Sequence, residues 1–178
     1  MNKKLFPLPE VYGLLEPGPV VMLTTAWKGR KNVMTMSWHT MMEFEPPLIG
    51  CVISANDYTF HMLKETKECV IAIPTVELSA KVVQVGNTSG RDIDKFEAFK
   101  LTTVDASEIK APLIAECYVN LECRVVDMDM VDKYNFFVLE VLKAWIDPAK
   151  RNPHTIHHLG KGVFMVSGKK IKLPSKMR

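Results

Sequence analysis

Most of the signals by which a chain declares its chemistry are missing from these 178 residues. No apolar stretch approaches 18 residues, so a membrane-spanning helix is not expected. The first seven residues carry two lysines but no apolar h-region, so a secretory signal is not expected either. None of the four cysteines, Cys51, Cys69, Cys117 and Cys123, stands in a C-x-x-C pair, which excludes zinc-ribbon and thioredoxin-type readings. All four lie in apolar runs, where a free cysteine behaves as a small hydrophobe, and reduced thiols in a cytoplasmic location are the expectation. G-x-G-x-x-G and the phosphate-binding P-loop are both absent. So are a nucleophile elbow, H-E-x-x-H, a Ser-His-Asp order and a carboxylate pair, which leaves hydrolase chemistry without support. The 23 basic and 20 acidic residues give a net charge of +3 and are interspersed. Only the tail with Lys169, Lys170, Lys172, Lys176 and Arg178 is biased, so nucleic acid is not an expected partner.

What is present is ordinary globular material: 47% hydrophobic and 24% charged residues, enough for one domain over residues 1–178. Residues 1–18, rich in proline, read as an irregular lead-in, and residues 147–178 as a C-terminal extension near the site. Residues 19–27 and 32–40 flank the turn signal Lys28-Gly29-Arg30-Lys31 and predict a hairpin. Residues 48–54 predict a short strand buried on both faces, followed by a helix over 58–67 with Asp57 as N-cap. Residues 68–73 predict a strand, 77–85 a helix, and 87–100 a polar stretch with a turn at Ser89-Gly90. From Cys117 to Val125 apolar odd positions alternate with polar Asn120, Glu122 and Arg124, the pattern of a strand with one buried face. Residues 134–146 are apolar at both parities and predict a central strand, and residues 163–166 and 170–173 predict a closing hairpin. Six or seven strands with short helices between them, and no regular β-α-β alternation, fit a mainly β (α+β) barrel with helical insertions.

Candidate chemistry gathers at strand-to-helix junctions. Ser54, Asn56, Thr59, Ser89, Gly90, Arg91 and Lys95 are small polar or basic residues of the kind that hold a phosphate at a helix start. The same residues serve equally as caps and turn formers, and spacing alone does not separate the two uses. Thr35, Ser37 and Trp38 could line a flat heteroaromatic ligand, or could belong to a half-exposed strand with a packed indole. His154, His157 and His158 stand at i, i+3 and i+4, close together if helical, but no cysteine or carboxylate near them completes a metal set.

Six segments together resemble the flavin reductase-like, or flavoredoxin, family of FMN-binding split barrels. They are residues 32–38 (NVMTMSW), 46–54 (PPLIGCVIS), 56–59 (NDYT), 89–96 (SGRDIDKF), 112–116 (PLIAE) and 121–124 (LECR). The resemblance implies a homodimer of Greek-key antiparallel barrels, six- to seven-stranded, holding FMN noncovalently near the subunit interface. It implies that Asn32, Thr35, Ser37 and Trp38 edge the flavin, and that Ser54, Asn56 and Thr59 lie at the ribityl phosphate. Ser89, Gly90, Arg91 and Lys95 would close the phosphate end, with Lys95 as main countercharge. Cys51, His157, His158 and Phe164 are possible substrate- or flavin-facing residues. The implied activity is hydride transfer from NADH or NADPH to flavin N5 and on to an acceptor, with no catalytic side chain and no metal required. An electron carrier served by a redox partner protein, or a ferric reductase, is the alternative. Two positions depart from the family pattern: Tyr134 stands where a histidine is frequent, and Asn56 where many members carry arginine.

Overall fold

A computed structural model of the chain describes residues 18–174; the lead-in, Gly18 apart, lies outside them. In chain order the strands begin with β1 (Val21–Trp27), β2 (Arg30–Met36), β3 (His39–Phe44), β4 (Pro47–Val52) and β5 (Glu68–Ile73). They continue with β6 (Thr103–Val104), β7 (Leu113–Ile114), β8 (Val119–Asp127), β9 (Phe136–Ile146), β10 (Ile156–Gly160) and β11 (Val163–Val166). The helices are α1 (Tyr58–Thr66), α2 (Ser79–Gly86), α3 (Lys95–Ala98) and α4 (Val131–Tyr134), with a 3-10 turn at Val76–Leu78 running into α2.

Seven strands form one sheet in the order β2-β1-β5-β8-β9-β4-β3, with every neighbouring pair antiparallel. The mainly β expectation holds and the main sheet has seven strands, while the pairs β6–β7 and β10–β11 stand outside it. Strands β1 and β2 are joined by a turn in which Lys28 and Gly29 take positive φ (50° and 77°). That left-handed pair matches the twist of a tight hairpin.

Alternation along each strand sends side chains to two cores. Val21, Leu23, Ile49, Cys51, Cys69, Ile71, Cys123, Phe137 and Leu139 fill one face, closed by Phe60 and Leu63 of α1. Val20, Met22, Val33, Val70 and Ala72 fill the other, covered by Val82 and Val85 of α2 and Phe96 of α3. Edge strand β2 thus lies between α1 on one face and α2 with α3 on the other.

Several expectations need correction. The 32–40 segment is two strands, because Ser37 and Trp38 interrupt it and β3 turns to pair with β4. The polar stretch 87–100 contains α3, capped by Asp94, whose carboxylate accepts from the Phe96 and Glu97 amides. Strand β8 is covered on both faces in its first half, where Asn120 and Glu122 are buried, while Arg124 is exposed as the alternation expects. Strand β9 is central but its end is not enclosed, since Trp145 and Ile146 are exposed. The closing hairpin pairs β11 with β10, not with residues 170–173. His157 and His158 accordingly lie on a strand, not a helix.

Candidate functional site

A cleft of about 330 Å³ opens along the edge of β2. Strand β2 contributes Asn32, Met34 and Thr35; the start of α1 contributes Asp57, Tyr58 and Thr59. The end of α2 and the loop beyond it bring Val85, Gly86, Asn87, Thr88, Ser89, Gly90 and Arg91, and α3 brings Lys95. The fold thus brings Asn32, Thr35, Thr59, Ser89, Gly90, Arg91 and Lys95 together around one space.

Asn32 sits at the centre of this arrangement. It is 3% exposed, and its Nδ2 donates to Thr59 Oγ1 at 2.8 Å. Its Oδ1 is buried and has no hydrogen-bond partner. An orphaned acceptor of this kind costs about 1–3 kcal/mol unless something donates to it. Thr59, also buried, accepts from Asn32 and so keeps its own hydroxyl proton to donate. Opposite stands Gly90, where a Cβ would lie 2.0 Å from Asn32 Oδ1 and 2.8 Å from Asn32 Cγ. Only a residue without a side chain fits here, because the Asn32 amide fills the place a Cβ would take.

Lys95 is 5% exposed, and its Nζ donates to the carbonyls of Val33 and Val85, each at 2.9 Å. It ties β2 to α2 while lining the cleft. Burial pushes its pKa down to about 8, partly opposed by the negative charge of Asp57. Arg91 reaches across the mouth, its Nη1 donating to the Asn56 carbonyl at 3.0 Å. Arg30 donates through Nη2 to the Gly90 carbonyl at 3.1 Å. Both guanidiniums lie 5.5 Å from the centre of the Tyr58 ring. Thr35 donates its hydroxyl to the Val82 carbonyl at 2.6 Å, so toward a ligand it can only accept.

Two hollows adjoin the cleft and share Thr35 with it. One, about 320 Å³, is lined by Ser37, Trp38, Val52, Ser54, Asp57 and Asn135 among others. The other, about 270 Å³, is lined by Ser37, Val82, Val83, His158, Gly162 and Phe164 among others. The His158 and Phe164 rings are 5.2 Å apart, so the C-terminal hairpin forms one wall. Ser54 therefore lies in the hollow beside Trp38 and not in the cleft itself. Asn56 lines none of these spaces and meets Arg91 only through its carbonyl. His157 hydrogen-bonds Thr155 Oγ1 and lines none of them.

Cys51 is not at the site. It is fully buried in the core, its thiol pushed up to about 12 by burial and then by Cys123. Tyr134 ends α4, exposed, while the neighbouring Asn135, in the left-handed conformation at φ 57°, lines the Trp38 hollow. Sequence reasoning missed Arg30, Tyr58 and Asn135. Arg30 had one legible signal, since it stands two residues before Asn32 and so shares its face of β2.

A family model described as flavin reductase like domain matches residues 14–163. The chain belongs to this family. A protein of Archaeoglobus fulgidus is 41% identical over 113 residues, which are 64% of each chain. The Escherichia coli protein YddH is 32% identical over 174 residues, covering 89% of this chain and 91% of its own. The FMN-binding domain of a flavin reductases-like enzyme from Shewanella baltica superposes with a TM-score of 0.81 at 24% identity, over 95% of this chain and 96% of its own. The split-barrel architecture anticipated from the sequence is the one observed.

The residues of the cleft fit a phosphorylated flavin. Asn32 Oδ1 is an acceptor without a partner, Gly90 packs against it with no room for a side chain, and Arg91 and Lys95 supply positive charge against the single lining carboxylate, Asp57.

Proposed function

We propose that the protein is an FMN-dependent oxidoreductase of the flavin reductase type, using NADH or NADPH as donor and passing electrons to a further acceptor. The observation that carries this reading is the buried, unpartnered Asn32 Oδ1 in a cleft with two cations and a forbidden Cβ at Gly90. Bound FMN would supply the redox chemistry itself, accepting hydride at N5 and releasing electrons.

The chain's own residues bind and orient. Asn32 Oδ1 would accept from a ribityl hydroxyl, and Thr59, Ser89 and the cations Arg91 and Lys95 would hold the phosphate. Thr35, Ser37, Trp38 and Ser54, which line the hollow beside the cleft, would border the flavin ring. Phe164 and His158 border the adjoining hollow, where a nicotinamide donor has room to approach. The protein works as a homodimer, a reading supported by the exposed apolar Met41, Met42 and Phe44 on edge strand β3. Four buried free thiols suit a reducing cytoplasm.

An anaerobic visible spectrum of the FMN-reconstituted protein tests this directly. The expected result is flavin absorbance that shifts on binding and bleaches on adding NADH or NADPH. Bleaching by dithionite alone would overturn the nicotinamide step and leave an electron carrier fed by a redox partner protein. Absence of any flavin spectrum would overturn the function as a whole.

A further inference from the structure

We propose that the segment after Asp147 is a docking surface for a small acidic electron-transfer protein that takes electrons from the flavin. This rests on reading the cleft as a flavin site. The charge of the chain divides at Asp147. Residues 1–147 hold all 20 acidic residues against 15 basic ones, while residues 148–178 hold eight basic residues, from Lys150 to Arg178, and no acidic one. The positive net charge therefore resides in the last part of the chain, and the remainder is net acidic. Arg151, Lys161, Lys169, Lys170 and Lys172 of this segment are exposed.

The same segment carries the β10–β11 hairpin, whose two faces are unlike. Inward, Ile156 is buried, Phe164 packs against the core that α2 covers, and the Val20 amide donates to the Ile156 carbonyl. His158, Gly162 and Phe164 line the hollow that adjoins the cleft. Alternation turns Val163 and Met165 the other way, and both are exposed, at 55% and 42%. Beyond the hairpin, exposed Ile171 and Leu173 alternate with Lys170 and Lys172. Apolar side chains among charges of one sign, on the wall of a cofactor hollow, suit a transient protein contact. The charges speed and orient the encounter, and the apolar centre supplies a small dry contact. A second copy joined two-fold through this segment would set like charges against like. An anionic membrane would be served by the tail alone and has no use for a surface that walls the hollow. The partner takes one electron per encounter, so two encounters reoxidise one reduced flavin and two protons pass to solvent.

The test measures binding of two haem proteins of opposite charge, acidic cytochrome b5 and basic cytochrome c, by titration calorimetry on the FMN-loaded protein. Cytochrome b5 should bind at low ionic strength, weaken at about 0.3 M salt, and bind at least about tenfold more tightly than cytochrome c. Lys169→Glu/Lys170→Glu/Lys172→Glu should lose at least about tenfold in that affinity, and Val163→Ser/Met165→Ser about threefold or more. Flavin fluorescence should show FMN affinity unchanged in both variants. Haem absorbance should show the reduced protein passing electrons to cytochrome b5, fastest in the unaltered chain. Equal binding of the two cytochromes, or of cytochrome b5 to all three chains, would overturn the proposal. Loss in the charge variant alone would mean a basic tail that attracts any anion, and would overturn it too. So would tighter binding to phosphatidylserine vesicles than to cytochrome b5, or a fall to the single chain mass in Val163→Ser/Met165→Ser, which would make the hairpin a contact between copies. FMN bound without any cytochrome b5 binding sinks this proposal alone; FMN not bound sinks the flavin reading and this proposal with it.

Discussion

Lys95 carries an ammonium in a nearly closed space, and its two carbonyl partners decide what a pH change does there. A neutral amine still has two hydrogens, enough for the Val33 and Val85 carbonyls. Deprotonation therefore removes the charge without removing the strap. With the pKa lowered from 10.5 to about 8 by burial, the folded state gives up its proton before the unfolded state does. Stability from this group thus rises with pH between those two values, while attraction for an anion falls over the same range. Titration calorimetry should show FMN affinity declining above pH 8, by up to about tenfold per pH unit. Lys95→Met should lose at least tenfold at pH 7 and flatten the profile; a flat profile in the unaltered protein would remove Lys95 from the phosphate end. Much of this site was readable in sequence because Asn32, Thr59, Ser89, Gly90, Arg91 and Lys95 fall in recognisable segments. Tyr58 lies in one of those segments and Arg30 shares the face of Asn32, but their contacts with Gly90 and Arg91 come from a distant part of the chain and leave no local trace.

Among the elements, β8 shows where a two-residue period misleads. Asn120 and Glu122 read as the wet face, yet both are buried. Asn120 acts as a surrogate backbone, accepting from the Ile114 amide and donating to the Ile114 carbonyl. Glu122 accepts from the Ser107 and Glu108 amides, the Ser107 hydroxyl and the Trp145 indole. Burial alone would raise its pKa, but these donors outweigh that and hold it below 4.5. A carboxyl depressed in the folded state stabilises above its unfolded pKa and loses that contribution as the solution turns more acid. Glu122→Gln should therefore cost about 1–3 kcal/mol at neutral pH and remove part of the acid-induced loss of stability. Urea unfolding at pH 7 and pH 4 measures both. Hydrogen exchange should locate the change at Ser107 and Glu108; an unchanged midpoint would show that water replaces the carboxylate. Polar side chains that satisfy loop amides leave no periodic trace in sequence, which is also why α3 hid in a polar stretch. Strand β5 and helix α1, whose signals are local, were legible nearly to the residue.

Over the whole molecule, the sheet ends among the described residues in two edges, β2 and β3, and they differ in kind. Strand β2 is flanked by helices and the cleft, whereas β3 exposes Met41 (57%) and Phe44 (64%). Apolar side chains in a row on an edge strand invite pairing with another chain. Sedimentation velocity should give twice the 20.2 kDa chain mass for the unaltered protein and the single mass for Met41→Glu/Phe44→Glu. A monomer in both cases would overturn the homodimer.

The two edge strands are also neighbours in sequence, with only Ser37 and Trp38 between them. The opening of the barrel is therefore spanned by a two-residue hinge, and both residues of that hinge border the hollow beside the cleft. A guest seated there touches β2 at Met34, Thr35 and Met36 and the link that leads on to β3. Its departure would register as loosening of a seam, felt first at β3 and only later in the cores.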